Sequence, residues 1–473
     1  MSNAKLPEAI RDFRDGLEVV AEASKNSRKL FFGMLLGCAY ALLTIATTTD
    51  VRLLTNSASS PLPIIGAQIP IVLFYIVAPF ILLGLYFYFH LYMQRLWEGL
   101  ARLPAIFPDG RSLDEKAYPW LLTGLVRAHF FKLKWDRPPL SRLQEWISIV
   151  LAWMFVPVTL ICFWLRYLTR QHWVGTTLHI VLFTLAVWAG NMFYRLAVGT
   201  LRGDESELSL WRKPPKRTKT FKLGAAAVSL GLIVVFLSLG TINGAPPSPL
   251  PFHPGFPSSR VPTLNDARTW VPHIFELLGY SPFADFREKD VSQKPPNWTG
   301  LNYEQIYQAK GAPLDGQNLR YAQGQRAFLV NANLHSADLR GADLSQADLR
   351  NASLMAARLQ HARLLAASLD DADLRRVNLQ QANLGLATLQ GANLEKANLK
   401  GADLSLARLQ RAILDKADFQ GANLASANLQ NAVITIEALS KVKTLYGATL
   451  DRALMDQIKK KHSYLLEKPK VDE

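Results

Sequence analysis

The chain has 473 residues, a net charge of +15 and 49% hydrophobic residues, so it is long enough for two or three domains. Its apolar residues are concentrated in long runs before residue 243, which indicates a membrane protein rather than a soluble one. Much of the positive charge lies in loops beside these runs, which favours lipid head groups over nucleic acid as its partner. The two cysteines, Cys38 and Cys162, form no disulfide or zinc-binding pattern.

Residues 1–28 are predicted to form an amphipathic N-terminal helix, which packs against the rest of the protein or lies on the membrane surface. Residues 29–242 follow as a transmembrane domain. Five stretches in this domain are apolar enough to span a bilayer, which requires about 20 residues. They lie near 30–48, 69–93, 146–168, 174–199 and 221–242. A count of four or six spans stays open as an alternative.

The distribution of Lys and Arg predicts the orientation of these spans. The N-terminal segment carries six basic residues, the 94–145 loop nine and the 200–222 loop seven, whereas the intervening segments carry one or two. Because basic segments stay on the cytoplasmic side, the N-terminus is expected inside and everything after residue 243 outside. The prediction is a multi-pass protein of the bacterial plasma (inner) membrane.

One intramembrane side chain is a candidate for function. His179 lies within the fourth span, and ionisable groups at that depth are functional candidates by default. The spans contain no acidic partner that would build a proton relay with it. The two alternatives are a hydrogen bond to a neighbouring helix and a role in transport.

Residues 243–311 are predicted to form a Pro-rich linker and a short irregular segment. Seven prolines fall between residues 243 and 262, a density that excludes a helix and favours an extended spacer.

The strongest signal lies between Ala327 and Ile434, where the sequence repeats every five residues without a break. Alanine, or valine once, opens each unit, and leucine, phenylalanine or isoleucine follows two places later. The run contains 22 units, and weaker units extend back to Ala312. Residues two apart on an extended backbone point to the same side, so Ala and Leu should share an interior. The other three residues must then form a corner, and successive coils should stack as strands about 4.8 Å apart.

This pattern resembles the pentapeptide-repeat family, whose motif is A-(D/N)-L-x-x. The resemblance implies a right-handed quadrilateral β-helix with four units per coil over residues 312–435. Residues 436–473 look helical and would cap the open end of this solenoid. The fold class is therefore mixed: an N-terminal α-helical transmembrane bundle and a C-terminal pentapeptide-repeat β-helix with a helical cap. The layout resembles membrane-anchored bacterial members of the family.

No enzyme motif, cofactor site or metal site is recognisable in the sequence, so no catalysis is expected. Some pentapeptide-repeat proteins mimic DNA with a strongly acidic surface. Residues 312–434 carry 13 basic and 11 acidic side chains, a near-neutral balance that argues against this role.

Two groups of residues in the repeat are candidate partner surfaces, although chance placement explains either equally well. With four units per coil, residues twenty apart should stack on one side. One group is an apolar column formed by Ala366, Leu386 and Leu406, with Leu365 beside it. The other is a basic area formed by Arg358, Arg363, Arg375 and Arg376.

The first hypothesis is a non-enzymatic scaffold that is anchored in membrane lipid and presents the solenoid to a protein partner. The alternative is a pore-forming or transport protein in which the solenoid gates or assembles the channel. A third hypothesis is a membrane-damaging effector. The identity of the partner and the oligomeric state are not predicted.

Overall fold

A computed structural model of the chain describes residues 8–57, 59–61, 68–104, 107, 110–111, 113, 141–202, 229–235, 237–238, 281–300 and 302–468. The chain divides into two compact units. Unit 1 contains residues 1–47, 59–167 and 173–238. Unit 2 contains residues 239–473 together with two short segments from the N-terminal half, 48–58 and 168–172.

Unit 1 is built from long apolar helices. Helix α1 spans Glu8–Thr47, α3 spans Ile71–Ala101 and α6 spans Trp173–Arg202. A third apolar helix begins as α4 (Ser141–Ile149), passes through a π-helical turn (Val150–Met154) and continues as α5 (Phe155–Tyr167). Strands β1 (Ser59–Pro61) and β2 (Gln68–Pro70) pair antiparallel before α3.

Four helices in the described part of the chain are long and apolar enough to cross a membrane, and they match the first four predicted spans. Their apolar segments are Asp15–Thr47, Ile71–Ala101, Trp146–Arg170 and Trp173–Leu201. Most of the predicted fifth span, 221–242, lies outside the described residues. Its described parts, 229–235 and 237–238, are helical, and the Nε1 of Trp164 donates a hydrogen bond to the hydroxyl of Ser238 across 3.0 Å.

The amphipathic N-terminal helix and the first span are not separate elements. Helix α1 runs through both as 40 continuous residues. The reason is local, because the segment between Lys25 and Lys29 is charged but contains no proline or glycine that would end a helix.

Two prolines inside the apolar helices each remove a backbone donor, and side chains from another helix bind the affected oxygens. Pro157 has no N–H for the carbonyl of Trp153, and the hydroxyl of Tyr86 on α3 donates to that oxygen across 2.9 Å. Pro79 similarly has no N–H for the carbonyl of Tyr75, and the Nε2 of His179 lies 2.9 Å from that oxygen. These contacts compensate the backbone inside an apolar bundle.

Unit 2 is dominated by a solenoid. Isolated parallel bridges join residues twenty apart, from Pro313–Asn333 to Ile413–Val433, so four pentapeptides make one coil. The alanines and leucines of every unit form one continuous buried core, as the sequence pattern predicts. The coils pair through single-residue bridges and not through the predicted strands, since a corner in each five-residue unit leaves one bridged position per side.

Each corner places the residue before the next alanine in the left-handed region, at φ between 54° and 70° in the repeat. Gly341, Gly391, Gly401 and Gly421 occupy four of these corners, as predicted. The Asp or Asn between alanine and leucine accepts the backbone N–H two residues later, as Asp403 does from Ser405 across 3.0 Å. This Asx turn explains the D/N of the motif, because the side chain binds an amide that the corner leaves without a backbone partner.

The solenoid begins before the predicted boundary at residue 312. Asp285 and Asp290 already bridge to Gln323 and Phe328 in the coil above. Phe286 contributes its ring to the core at the point where Gly324 stands in place of a leucine. A Cβ on Gly324 would lie 2.3 Å from this ring, so the two residues share one interior site. The segment 284–293 therefore belongs to the coil and not to a linker, and α7 (Tyr303–Gln308) follows it.

The coil also extends past residue 435. The predicted helix over 436–445 is limited to α8 (Ile436–Leu439), and Thr444 and Thr449 continue the bridges from Asn423 and Asn428. Helix α9 (Arg452–Lys461) and a 3-10 turn (Ser463–Leu466) follow. Ile458 and Leu465 from these elements are buried in the solenoid core.

Candidate interaction surfaces of the repeat

The corners of the solenoid stack into four columns two residues wide, and one column carries no charge over five coils. It consists of residues 345–346, 365–366, 385–386, 405–406 and 425–426, which read Ser-Gln, Leu-Ala, Gly-Leu, Ser-Leu and Ala-Ser. We call this column the neutral corner. Each of the other three columns contains charged residues. Arg350 and Asp370 lie in one, Arg375 and Lys396 in the second, and Arg340 and Lys400 in the third.

The predicted apolar residues lie together at the neutral corner. Leu386 and Leu406 are 51% and 53% exposed, and both occupy left-handed corner positions in adjacent coils. Leu365 is exposed, and its Cδ1 lies 3.3 Å from the place where Gly385 would carry a Cβ, so this side chain packs along the column. Ala366 is half-buried at the same corner. The glycine thus leaves room for a neighbouring leucine to lie flat on the surface.

The predicted basic residues do not form one column. Arg358 bridges to Asn378, and Arg363 bridges to Asn383 on the next side of the coil. Only Arg375 and Arg376 lie together, in a shallow depression of about 260 Å³ that Met355, Glu395 and Lys396 complete.

Most charge in that depression is compensated inside the chain. Arg375 binds both carboxylate oxygens of Asp373 across 2.8 and 2.7 Å, and this hydrogen bonding lowers the pKa of Asp373. Lys396 pairs with Glu395 across 2.6 Å. An arrangement of paired opposite charges on an exposed face contributes little to affinity for an anionic partner.

His179 is buried among helices, with 1% of its surface exposed. Its Nδ1 lies 2.7 Å from the carbonyl of Gly175, and its Nε2 faces the carbonyl of Tyr75. A carbonyl oxygen only accepts, so His179 in its Nε2–H tautomer supplies the donor that Pro79 cannot give, and in its Nδ1–H tautomer it donates to Gly175 instead. The sequence offered no sign of this pairing, since Tyr75 and His179 are 104 residues apart.

The polar groups of the repeat do not assemble into a reactive site. Among the described residues, no group of three or more His, Cys, Asp or Glu side chains could hold a metal ion. Asp338 and Asp348, which follow alanines in the motif, bind Arg340 and Arg350 two residues later. These carboxylates thus stabilise corners and are not presented to a ligand.

The family model described as Pentapeptide repeats matches the chain in eight copies, at residues 310–351, 332–364, 367–405 and 402–435. A comparison with curated proteins finds no match.

Several solved structures are similar to the repeat. HetL, a pentapeptide repeat protein involved in heterocyst differentiation regulation from the cyanobacterium Nostoc sp. strain PCC 7120, is 30% identical, and the match covers 36% of this chain and 75% of HetL with a TM-score of 0.25. Rfr23 from the cyanobacterium Cyanothece 51142 is 36% identical over 23% of this chain and 65% of its own, with a TM-score of 0.16. A pentapeptide repeat protein from the Arabidopsis thaliana thylakoid lumen is 26% identical over 26% of this chain and 74% of its own, with a TM-score of 0.12. From the family match and the identity to HetL, the chain belongs to the family of pentapeptide-repeat proteins.

Proposed function

We propose that the chain is a non-enzymatic, membrane-anchored scaffold that binds a protein partner through the neutral corner of its solenoid. The observation that carries this proposal is the pair of exposed leucines, Leu386 and Leu406, in an uncharged column on an otherwise charged surface. Apolar patches of this kind mark contacts with other molecules. The rigid core behind the column keeps the two side chains at a fixed spacing, which suits a preorganised binding surface.

Membrane anchoring is supported by the apolar helices of unit 1. Large side chains such as Leu36 and Val174 are 72% and 75% exposed on these helices, and lipid tails would cover them without cost. The basic N-terminal segment and the basic 94–145 loop favour a cytoplasmic N-terminus in the plasma (inner) membrane of a bacterium. A right-handed coil, with α9 and the following 3-10 turn as its C-terminal cap, belongs to the same proposal.

A photo-crosslinking amino acid at the neutral corner tests the scaffold proposal. We expect a crosslinker at Leu386 to form an adduct with one defined protein in the native membrane, and Leu406→Glu to abolish that adduct. Gln381 is the matched control, since it occupies a left-handed corner in the same coil but in a charged column. Equal adducts from both positions, or adducts that Leu406→Glu leaves unchanged, would contradict the proposal.

A flux assay separates this function from a pore or transporter. Three polar side chains of the helix interior, those of Tyr86, His90 and His179, contact backbone carbonyls of other helices and so serve the bundle itself. We therefore expect liposomes containing the full chain to show the same solute and ion permeability as empty liposomes. A permeability that rises with protein density would favour the channel alternative.

A further inference from the structure

Two short segments that connect apolar helices belong to the same compact unit as the solenoid. They are 48–58, which contains helix α2 (Asp50–Thr55), and 168–172. Leu54 in α2 is 3% exposed and is part of the continuous core that includes Ala284 and Phe286. Val51 packs against this core from the same helix. The first coil is thus covered by apolar side chains from another part of the chain.

The backbone groups of a first coil have no coil beneath them. Inside the repeat, the N–H of the residue before each leucine donates to the coil below, as Asp343 does to the carbonyl of Ala322 across 2.9 Å. Asp285 holds the equivalent position before Phe286 in the first coil. Its N–H donates to the Oδ2 of Asp50 across 2.6 Å. The carboxylate of α2 therefore takes the place of the missing carbonyl.

The 168–172 segment replaces a missing donor in the same way. Inside the repeat, the carbonyl of the residue after each leucine accepts an N–H from the coil below, as Arg340 does from Tyr321 across 3.1 Å. Arg320 is in the equivalent position one coil lower, and its carbonyl accepts from the Nε2 of Gln171 across 3.2 Å. The Nδ2 of Asn318 returns a hydrogen bond to the carbonyl of Gln171 across 3.4 Å.

The two segments also contact each other. The guanidinium of Arg170 donates to the carbonyl of Leu53 at the end of α2, across 3.2 Å. Helix α2 is itself fixed at both ends, because Thr49 caps its first turn and Asn56 closes it in the left-handed region. Together, α2 and the 168–172 segment cover the first coil with apolar side chains and supply one hydrogen-bond acceptor and one donor to its backbone.

We propose that α2 and the 168–172 segment form the N-terminal cap of the solenoid, and that a further membrane crossing therefore lies between residues 202 and 281. This inference rests on the proposed membrane anchoring. Two apolar helices separate the cap segments, so both emerge on one side of the membrane. Helix α6 then crosses once, and the chain must cross once more to bring the solenoid back to its cap. The buried Val234 and Ser238 lie in the only stretch, 221–242, that the sequence predicts for this crossing.

A crosslink tests the cap. In full-length protein with Cys38→Ala and Cys162→Ala, the pair Gln171→Cys and Asn318→Cys should be joined by a short bismaleimide. A protease site inserted between residues 243 and 262 lets the two halves separate on a gel unless they are linked. The matched control is Gln171→Cys with Asn378→Cys, which lies in the same column of the solenoid, three coils away. We expect a linked product from the first pair and none from the second, and equal linking or no linking of both pairs would overturn the cap.

Labelling with a membrane-impermeant maleimide in sealed vesicles tests the crossing. Single cysteines at Ser57 and Leu386 should react from the same side, and a cysteine at Ser2 should react from the other side. If the protein resists alkaline extraction but Ser57→Cys and Leu386→Cys react from opposite sides, the additional crossing is overturned. Complete release by alkaline extraction would instead contradict the membrane anchoring itself.

Discussion

The hydroxyl of Tyr86 donates a hydrogen bond to the carbonyl of Trp153, the oxygen for which Pro157 has no N–H. Gly190 makes this possible, since a Cβ at that position would lie 2.3 Å from the Tyr86 hydroxyl. The proline interrupts one apolar helix, a second helix supplies the hydrogen-bond donor, and a glycine on a third helix leaves room for the donor's side chain. Inside a bilayer, where water cannot bind the affected oxygen, such matching is required.

Tyr86→Phe should therefore destabilise the bundle by about 1 kcal/mol, the contribution of one interhelical hydrogen bond. The measurement is thermal unfolding of the detergent-solubilised protein. Pro157→Ala supplies a backbone N–H to the same oxygen, so Tyr86→Phe should cost less in that background. An identical loss in both backgrounds would show that the hydroxyl does not compensate for the proline.

A leucine at residue 324 should destabilise the solenoid although it restores the repeat motif. The ring of Phe286 occupies the space that the new side chain needs, and overpacking of this kind costs about 1–3 kcal/mol. Phe286→Ala alone should cost about 3–5 kcal/mol because it leaves a cavity. The double variant Gly324→Leu/Phe286→Ala should be more stable than the sum of the two changes predicts, as measured by denaturant unfolding in detergent. Additive effects would show that the two side chains do not share one site.

Two aspartates in one coil should respond to pH in opposite directions. The hydrogen bonds from Arg375 lower the pKa of Asp373, so its ionised form stabilises the fold above pH of about 4 and this contribution is lost as the pH falls through the lowered pKa. Burial of its carboxyl against Gly391, and then the charge of Asp370, raise the pKa of Asp371. The protonated carboxyl of Asp371 therefore stabilises the fold. This stabilisation is fully present below pH of about 4 and is lost as the pH rises through the raised pKa.

At pH 7 we therefore expect Asp371→Asn to raise the melting temperature of unit 2 slightly and Asp373→Asn to lower it. Both differences from the parent protein should shrink as the pH is lowered towards 3. Melting curves of the three proteins at several pH values provide the measurement. A difference with the same sign for both variants at pH 7 would contradict the assigned environments.

Removal of the Asp50 carboxylate should weaken the first coil. Asp50→Ala leaves the amide of Asp285 without this acceptor, which should cost about 1 kcal/mol because the donor is only partly buried. Asp50→Asn retains an oxygen in the same place and should be closer to the parent protein. Hydrogen exchange at the Asp285 amide measures the effect directly. Unchanged protection of this amide in Asp50→Ala would show that another group binds it.

The sequence predicts the repeated part of the fold well because every unit carries its own signal. Alanine and leucine at fixed spacing predict the buried core, and the stacking of residues twenty apart correctly brings Leu386 and Leu406 into one column. The first coil was missed for a physical reason. Its units, Ala-Asp-Phe-Arg-Glu and Lys-Asp-Val-Ser-Gln from Ala284, match the motif loosely and are separated from the rest by α7.

Contacts between distant segments could not be read from the sequence. Asp50 and Asp285 are 235 residues apart, and Gln171 and Arg320 are 149 apart. Nothing in the local sequence distinguishes Asp50 or Gln171 from other polar residues. Each has a role only because the first coil has no coil beneath it to bind its backbone groups. The prediction that four arginines form one basic area was wrong, because Arg358 and Arg363 are separated by a corner and lie on different sides of the coil.

The backbone conformation of the corners has a consequence for the two exposed leucines. Leu386 and Leu406 both hold φ at 60°, a conformation that costs a side-chain-bearing residue about 1–2 kcal/mol and glycine almost nothing. Their side chains also remain half in contact with solvent, so the chain recovers little of this energy by burying them. Glycine or asparagine would serve the architecture better at both places. In the proposed scaffold, these two leucines therefore serve the bound partner and not the fold of the chain that carries them.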